Sequence, residues 1–404
     1  MGSPSPASTA AKDRTIKALL LDMWCFIPFY MAALSVELER QMVHTTVASA
    51  TYHLDPKYFE NNKIRNNPGV IDIVGRLRIS NPRIRRSLKL LEYCANLVYQ
   101  SLKVLSVGAE IVHVHFLPLL SKGIPVELWF LKYVKKLGSK VICTVHNVLP
   151  HDTGDRHRKR YIELYWLSDL LICHNAAARK VLREELGIPD ERIRIIPHGP
   201  LQVDTSVPQH EARSALGLPR ETPVVLWQGV IAPYKGIDFL LSSWARLQSN
   251  AYLVIAGKGE QACVESLQNK VRELDIESSV RLDIFYIQPE RLPYYYQAAD
   301  ILVYPYKNIT TSGALITGIG YGKPVVATDL PAFVELIKDN ESGLLVKYGD
   351  EDALARALKR LIEAPDLRAQ MARNAKVAAD QQYSWAAIAR KTRECYEELL
   401  AEAH

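Results

Sequence analysis

Lys235 stands between a strand-like run, Pro223–Gln228, and an apolar helical run, Ile237–Leu247, in the segment LWQGVIAPYKGID that starts at Leu226. A cation at a helix start opposes the helix dipole, and the placement makes sense when an anion binds there. A second anion seat is written into Tyr304–Asp329, YPYKNITTSGALITGIGYGKPVVATD. Thr310, Thr311, Ser312 and Gly313 fall where a helix begins, so a hydroxyl can cap it and Gly313 lets a ligand approach the backbone closely. An ordinary helix cap explains that turn alone. Two such seats in one region, at Lys235 and at Ser312–Ala314, point to a diphosphate held between two loops. Gly257-Lys258-Gly259 is a third, weaker glycine loop. The other chemistry is imidazole: His115, His146, His174 and His198 each follow or close a short apolar run, and imidazole can accept or donate a proton near neutral pH. The polar run TGDRHRKRY, with Arg156, Arg158, Lys159 and Arg160, can hold phosphate or carboxylate as a mobile loop, or be a solvated charge run.

These residues need elements to hold them. Strand-like runs at Thr15–Leu21, His44–Thr51, Ile111–Phe116, Lys140–Val145, Leu170–His174 and Ile193–Pro197 alternate with helical runs at Pro125–Leu137, Arg158–Leu167 and Ala176–Leu186. In the helix opened by Pro28, Phe29, Ala33, Val36 and Leu38 are expected to face inward. A long helix, Arg83–Val107, carries Leu88, Leu91, Ala95, Val98 and Leu102 at helical spacing. Its first turns hold Arg83, Arg85, Arg86 and Lys89, which fit a membrane-surface or phosphate-facing end. A packed amphipathic helix with a basic rim is the plainer expectation. A second alternating series runs from Pro223–Gln228 through Ala251–Ala256, Cys263–Leu274, Ser279–Asp283, Glu290–Gln297 and Ile301–Pro305. Glu351–Ala364 and Asp366–Glu402 read as closing helices. Such alternation predicts α/β architecture: two Rossmann-like, doubly wound domains facing across a cleft, with C-terminal helices. The expected boundaries are a disordered 1–14, a first Rossmann-like domain 15–203, a second 204–380, and a last helix, 381–404, that can pack back on the first domain. Strand carboxyl ends are where such sheets bind ligands, and the histidines fall there.

Composition narrows the class. The chain has 404 residues, 48% of them hydrophobic, enough for two cores. Residues 1–203 hold 28 Lys/Arg against 18 Asp/Glu, and the rest 22 against 26. A basic half beside an acidic one suits an anionic partner, such as membrane lipid or a phosphorylated acceptor. Nucleic acid ranks last, for want of a motif. The six cysteines are scattered singly, with no metal spacing, as in a reduced cytosolic protein. The start, MGSPSPASTAAKDR, lacks a signal-peptide core, and no apolar run reaches membrane-span length.

Taken in order, LWQGVIAPYKGIDFLL, YLVIAGKGE, YYYQAADILVYPY, TSGALITGIGYGKPVVATD, FVELI and NESGLLV resemble the donor domain of glycosyltransferase family 4, retaining nucleotide-sugar enzymes of GT-B fold. VHVHF, VICTVHN, DLLICHNAAARKVL and RIIPHGP are similar to that family's first domain. The likeness spans nearly all of residues 15–380. It implies that Lys235, after Gly229, binds the donor diphosphate, and that Thr311, Ser312, Gly313, Ala314 and Leu315 take the distal phosphate and sugar. It also implies that Tyr286 and Ile287 cradle the base and that His146 reaches the transferred sugar. The family's usual arginine after the first glycine is replaced by Val230. Its two glutamates are replaced by Ile309 and Thr317, as in a bacterial subset with a TSG loop.

The resemblance implies sugar transfer from a nucleotide-diphosphate sugar to an acceptor hydroxyl, with no cofactor and no required metal. The acceptor is expected near Trp24, Phe29, His115, Arg156 and Arg160. A lipid-linked or polysaccharide-precursor glycan is expected, handled by a cytoplasmic protein peripheral to the inner membrane face. A non-catalytic nucleotide-sugar-binding subunit and a nucleotide-sugar epimerase are the alternatives.

Overall fold

The computed structural model describes residues 14–50, 57–61, 64, 70–76, 81–149, 154–200, 206–309 and 312–402. The tail before Arg14 and the pair Thr310–Thr311, both named above, lie outside this set, as do 150–153 and 201–205. The chain divides into two compact units: Met1–Pro197 with Trp385–His404, and His198–Ser384.

In the first unit six strands, β1 (Ile16–Asp22), β2 (Val43–Ser49), β3 (Ile111–Val114), β4 (Lys140–Val145), β5 (Leu170–Cys173) and β6 (Ile193–Ile195), form one parallel sheet ordered β2-β1-β3-β4-β5-β6. Its strands are apolar almost throughout because helices cover both faces. Side chains alternate between them: Leu19, Leu21, Val112 and Val114 enter one core, and Ile16, Ala18, Leu20 and Ile111 the other. The second unit repeats the plan with β7 (Val224–Gln228), β8 (Tyr252–Ala256), β9 (Val280–Asp283), β10 (Ile301–Tyr304), β11 (Val325–Thr328) and β12 (Gly343–Val346), ordered β12-β11-β10-β7-β8-β9 and parallel. The strand order reverses between β1 and β3 in one sheet and between β7 and β10 in the other. At such reversals neighbouring crossovers leave to opposite faces and open a crevice at the carboxyl ends.

Three expectations change. The helix Pro28–Arg40 buries Leu38 as expected and packs Phe29 and Val36 partly against the core, but its other buried residues include Tyr30, Met31, Leu34 and Ser35, and Ala33 is only half-buried. The helix Pro82–Val107 starts on Asn81, whose side chain accepts from the amides of Arg83 and Ile84, and ends at left-handed Gly108. Its inward face is Tyr93, Asn96, Leu97, Gln100 and Val104. The apolar stripe read as a packing face points to solvent, with Leu91, Val98 and Leu102 more than 60% exposed. Third, the closing helical run is broken. Pro365–Ala378 passes into a π-helical turn, Ala379–Tyr383, and a new helix, Trp385–Ala401, begins after Ser384. That last helix belongs to the first unit. It packs against Pro28–Arg40 and puts Ile388, Tyr396 and Leu399 into the core.

Candidate active site

In the second unit both loops at the strand-order reversal are built around buried groups. After β7 the chain turns through Pro233–Lys235 into the helix Ile237–Ala245. Gly236 makes the turn at φ +64, and a Cβ there would sit 1.9 Å from the Pro305 carbonyl oxygen. The two loops are therefore packed backbone to backbone, and the Lys307 amide donates to the Tyr234 carbonyl at 2.8 Å. Lys235 is only 7% exposed. Its Nζ lies 3.9 Å from the centre of the Tyr306 ring and 5.1 Å from that of Tyr234. Among the described residues no carboxylate pairs with it. Burial pulls its pKa down to about 8, so the ammonium is costly until an anion arrives.

After β10, Ser312 caps the helix Gly313–Gly320, its Oγ accepting from the Leu315 amide at 3.2 Å. The amides of Gly313 and Ala314 make no hydrogen bond among the described residues. The first turn is held by tyrosines. Tyr304 donates to the Ala314 carbonyl at 2.8 Å, and Tyr296 bridges from that carbonyl to Gln228. Thr317 is buried within the helix, and Ile309 packs on the core below it. Val230 is 55% exposed. Gly229 ends β7 at φ +156, with its carbonyl against Gly257, where a Cβ would meet it at 1.8 Å. Ile287 is buried, and Lys258 lies over the half-buried Tyr286 ring. Thr311 lies outside the described residues. A groove of about 720 Å³ runs between the helices Ile237–Ala245 and Gln261–Glu273. Its walls do not include Lys235 or Ser312, and it carries no buried unpaired charge.

In the first unit, His115, His146 and His174 follow the ends of β3, β4 and β5, and their rings meet. His115 Nδ1 lies 3.3 Å from His146 Nε2, and His146 Nδ1 lies 3.0 Å from His174 Nε2. His174 Nδ1 lies 3.0 Å from the Ile196 carbonyl, which can only accept. For neutral rings this orders the protons. His174 donates to Ile196 and accepts from His146, which in turn accepts from His115. Burial, with His113 and His174 nearby, holds His115 well below its ordinary pKa. Phe116 stacks on His146 at 5.3 Å, and Tyr30 meets it edge-on at 4.8 Å. His113 bonds Tyr396 and Thr144, and burial pushes its pKa down to about 3. An apolar pocket of about 380 Å³ has His115 and His146 in its wall, with Phe26, Phe116, Tyr161 and Tyr165.

His115, His146 and His174 come together within the first unit, and His198 falls at the start of the second. Trp24 packs edge-on against Tyr93 beneath Lys122, and Phe29 against Tyr58. The basic run after Gly154 is structured rather than a loop: a 3-10 turn, Gly154–His157, leads into the helix Arg158–Leu167. Within it Arg160 pairs with Glu163, while Arg156 is exposed. Sequence reasoning passed over Tyr30, His113, Tyr296, Tyr304 and Tyr306. The run YPY after the strand was the one available signal, since Tyr306 lies just beyond β10.

Residues 29–201 match the family described as Glycosyltransferase Family 4, and residues 208–378 that described as Glycosyl transferases group 1. An uncharacterized glycosyltransferase of Methanocaldococcus jannaschii is 24% identical over 301 residues, 72% of each chain. The D-inositol 3-phosphate glycosyltransferase of Corynebacterium aurimucosum is 28% identical over 290 residues, 68% of each. Among solved structures, a glycosyltransferase from Rickettsia africae superposes with a TM-score of 0.74 at 16% identity, covering 96% of this chain and 99% of that one. HepE from Anabaena with bound UDP and glucose gives 0.73 at 17%, covering 95% and 100%. At these identities the superpositions speak for the fold.

Proposed function

Given that this chain is a glycosyltransferase of the family 4 type that uses nucleotide sugars, we propose that it moves the sugar to an acceptor hydroxyl with retention of anomeric configuration. The observation that carries this reading is Lys235, a buried ammonium without a carboxylate partner among the described residues. It lies over Tyr306, seven residues before the helix whose first amides are unused among the described residues. Cleavage of the donor builds negative charge on the leaving diphosphate, and preorganised donors in a dry site stabilise that charge most. Lys235 and the amides of Gly313 and Ala314 supply it, so the reading calls for no resident metal or cofactor. The acceptor hydroxyl bonds to the anomeric carbon as the carbon–phosphate-oxygen bond breaks, and its proton passes to the departing phosphate. By family likeness, Tyr286 and Ile287 cradle the base and His146 takes a hydroxyl of the transferred sugar.

The acceptor proposed is a lipid-linked or polysaccharide-precursor glycan at an anionic membrane surface, supported by the basic first half and its aromatic pocket. HepE is seen with UDP-glucose, so uridine donors come first in a thermal-shift screen of nucleotide diphosphates and their sugars. A donor should raise the melting temperature of the wild type and leave Lys235→Ala unmoved. An equal shift in both proteins would remove Lys235 from the site. Anomer analysis of the product by NMR tests retention. Val230, Ile309 and Thr317, where the family resemblance leads one to expect Arg and Glu, favour a second reading, a binding subunit without turnover. Donor binding with no hydrolysis and no transfer would select it.

A further inference from the structure

The outward face of the helix Pro82–Val107 is apolar along its length. Leu88, Leu91, Ala95, Val98, Leu102 and Leu105 recur at alternating steps of three and four, continuing back to Ile84, and all are exposed. Side chains at that spacing share one stripe. The buried residues Tyr93, Leu97, Gln100 and Val104 occupy the opposite side, so the stripe is the solvent side of a packed helix. An exposed apolar strip of this length marks an interaction surface. Its neighbour Val126–Lys136, joined to it through Tyr93 and Glu127, turns Trp129 and Tyr133 outward, with Lys132 and Lys136 between and beyond them.

Charge selects the occupant. The helix carries Arg83, Arg85, Arg86, Lys89 and Lys103 against one acid, Glu92. The Glu92 carboxylate is already taken by the amides of Ile73 and Val74. A second copy of the chain would bring the same cations to the seam, and the helix's one acid is already held, whereas two-helix seams rely on paired flanking charges. An anionic bilayer offers the complementary sign. Lysine and arginine stems reach its headgroups while Trp and Tyr sit at the interface. Among the described residues no helix is long and apolar enough to cross a membrane, so contact through this helix is with the surface. We propose that the outer face of Pro82–Val107, flanked by Trp129 and Tyr133, docks the first unit on an anionic lipid surface. This deepens the reading of a membrane-side acceptor, but it does not require that the acceptor be lipid-linked.

The test is co-sedimentation of the full chain with phosphatidylcholine vesicles, with and without phosphatidylglycerol. Binding should need phosphatidylglycerol and weaken as salt is raised. Replacing Arg85, Arg86 and Lys89 together with Gln should weaken it on the order of a hundredfold. Leu91→Gln with Val98→Gln and Leu102→Gln should abolish it. All these side chains point outward, so the melting temperature and the donor-induced shift should stay at wild-type values, which keeps this test separate from that of the donor site. Vesicle binding untouched by either set overturns the proposal, as does no vesicle binding at all. A concentration-dependent dimer in sedimentation equilibrium that the Leu91/Val98/Leu102 variant dissolves would overturn it too, giving the stripe to a second copy.

Discussion

Lys235 is held charged where an ammonium is poorly solvated, and its pKa near 8 has a thermodynamic sign. Between about 8 and the ordinary lysine value of 10.5 the unfolded chain binds the proton and the folded chain does not. Stability contributed by this group therefore rises with pH across that window, and the full cost of burying the charge is felt below it. Lys235→Met should stabilise the ligand-free protein at neutral pH by about 1–3 kcal/mol and remove that pH-dependent gain, as read by chemical denaturation from pH 7 to 10.5. The same variant should lose donor binding, so stability and function move in opposite directions. In wild type, affinity for a nucleotide diphosphate should fall as pH rises through 8. In the first unit, the Ile196 carbonyl fixes the proton on His174 Nδ1 and so presents an acceptor to His146. Nitrogen-15 spectra of histidine-labelled protein should show His146 protonated at Nδ1. His174→Phe should release it toward the usual mixture, whereas His174→Asn, which keeps an acceptor, should hold it.

At the scale of elements, the two loops after β7 and β10 work as one piece because Gly236 lets them touch. Gly236→Ala adds a Cβ against the Pro305 carbonyl at a positive φ. It should cost at least about 2 kcal/mol and lower the melting temperature more than Ser312→Ala. The serine change removes one cap bond, worth about 1 kcal/mol, and should mainly weaken donor binding. Both are read by thermal denaturation with and without donor. The strands and these loops were legible in the sequence. Buried parallel strands are continuous apolar runs, as in Ile142–Val145 and Leu253–Ala256, and Gly-Lys-Gly and Thr-Ser-Gly turns mark their carboxyl ends. Helix facing was not legible. A period of 3.6 gives the same pattern whether the apolar stripe meets a core or solvent, so Leu91, Val98 and Leu102 read as packing residues. Their polar counterparts Asn96 and Gln100 are the buried ones, Asn96 bonding the backbone of Ile71. The tyrosine braces were hidden for a related reason: Tyr296 and Tyr304 find the Ala314 carbonyl only once β10 and the helix before it are packed.

At the scale of the molecule, the first unit is built from both ends of the chain. Ile388, Tyr396 and Leu399 of the last helix lie against Ile16, Leu20, Met31 and Leu34, and Arg194 reaches Glu398. Ending the chain at Ser384 would strip that cover from the sheet. Side chains of this size contribute about 1.5–3 kcal/mol each when buried, so the loss is comparable with the whole stability of a domain. Calorimetry of the truncated chain should show the second unit's transition retained and the first unit's lost or shifted far down.

The returning helix also sets a calendar for the nascent chain. Everything between Pro197 and Trp385 must be translated before the first unit can receive its last wall, 187 residues by the division at His198–Ser384. At bacterial or eukaryotic elongation rates that is a wait of about 10–40 s. The second unit, contiguous in sequence, can close while still attached to the ribosome. The amino-terminal unit, made first, must finish last, and until then it has an uncovered apolar sheet face. Protease pulses on stalled ribosome-bound chains should find the later-made unit resistant before the earlier one, the reverse of the order in which the two are synthesised.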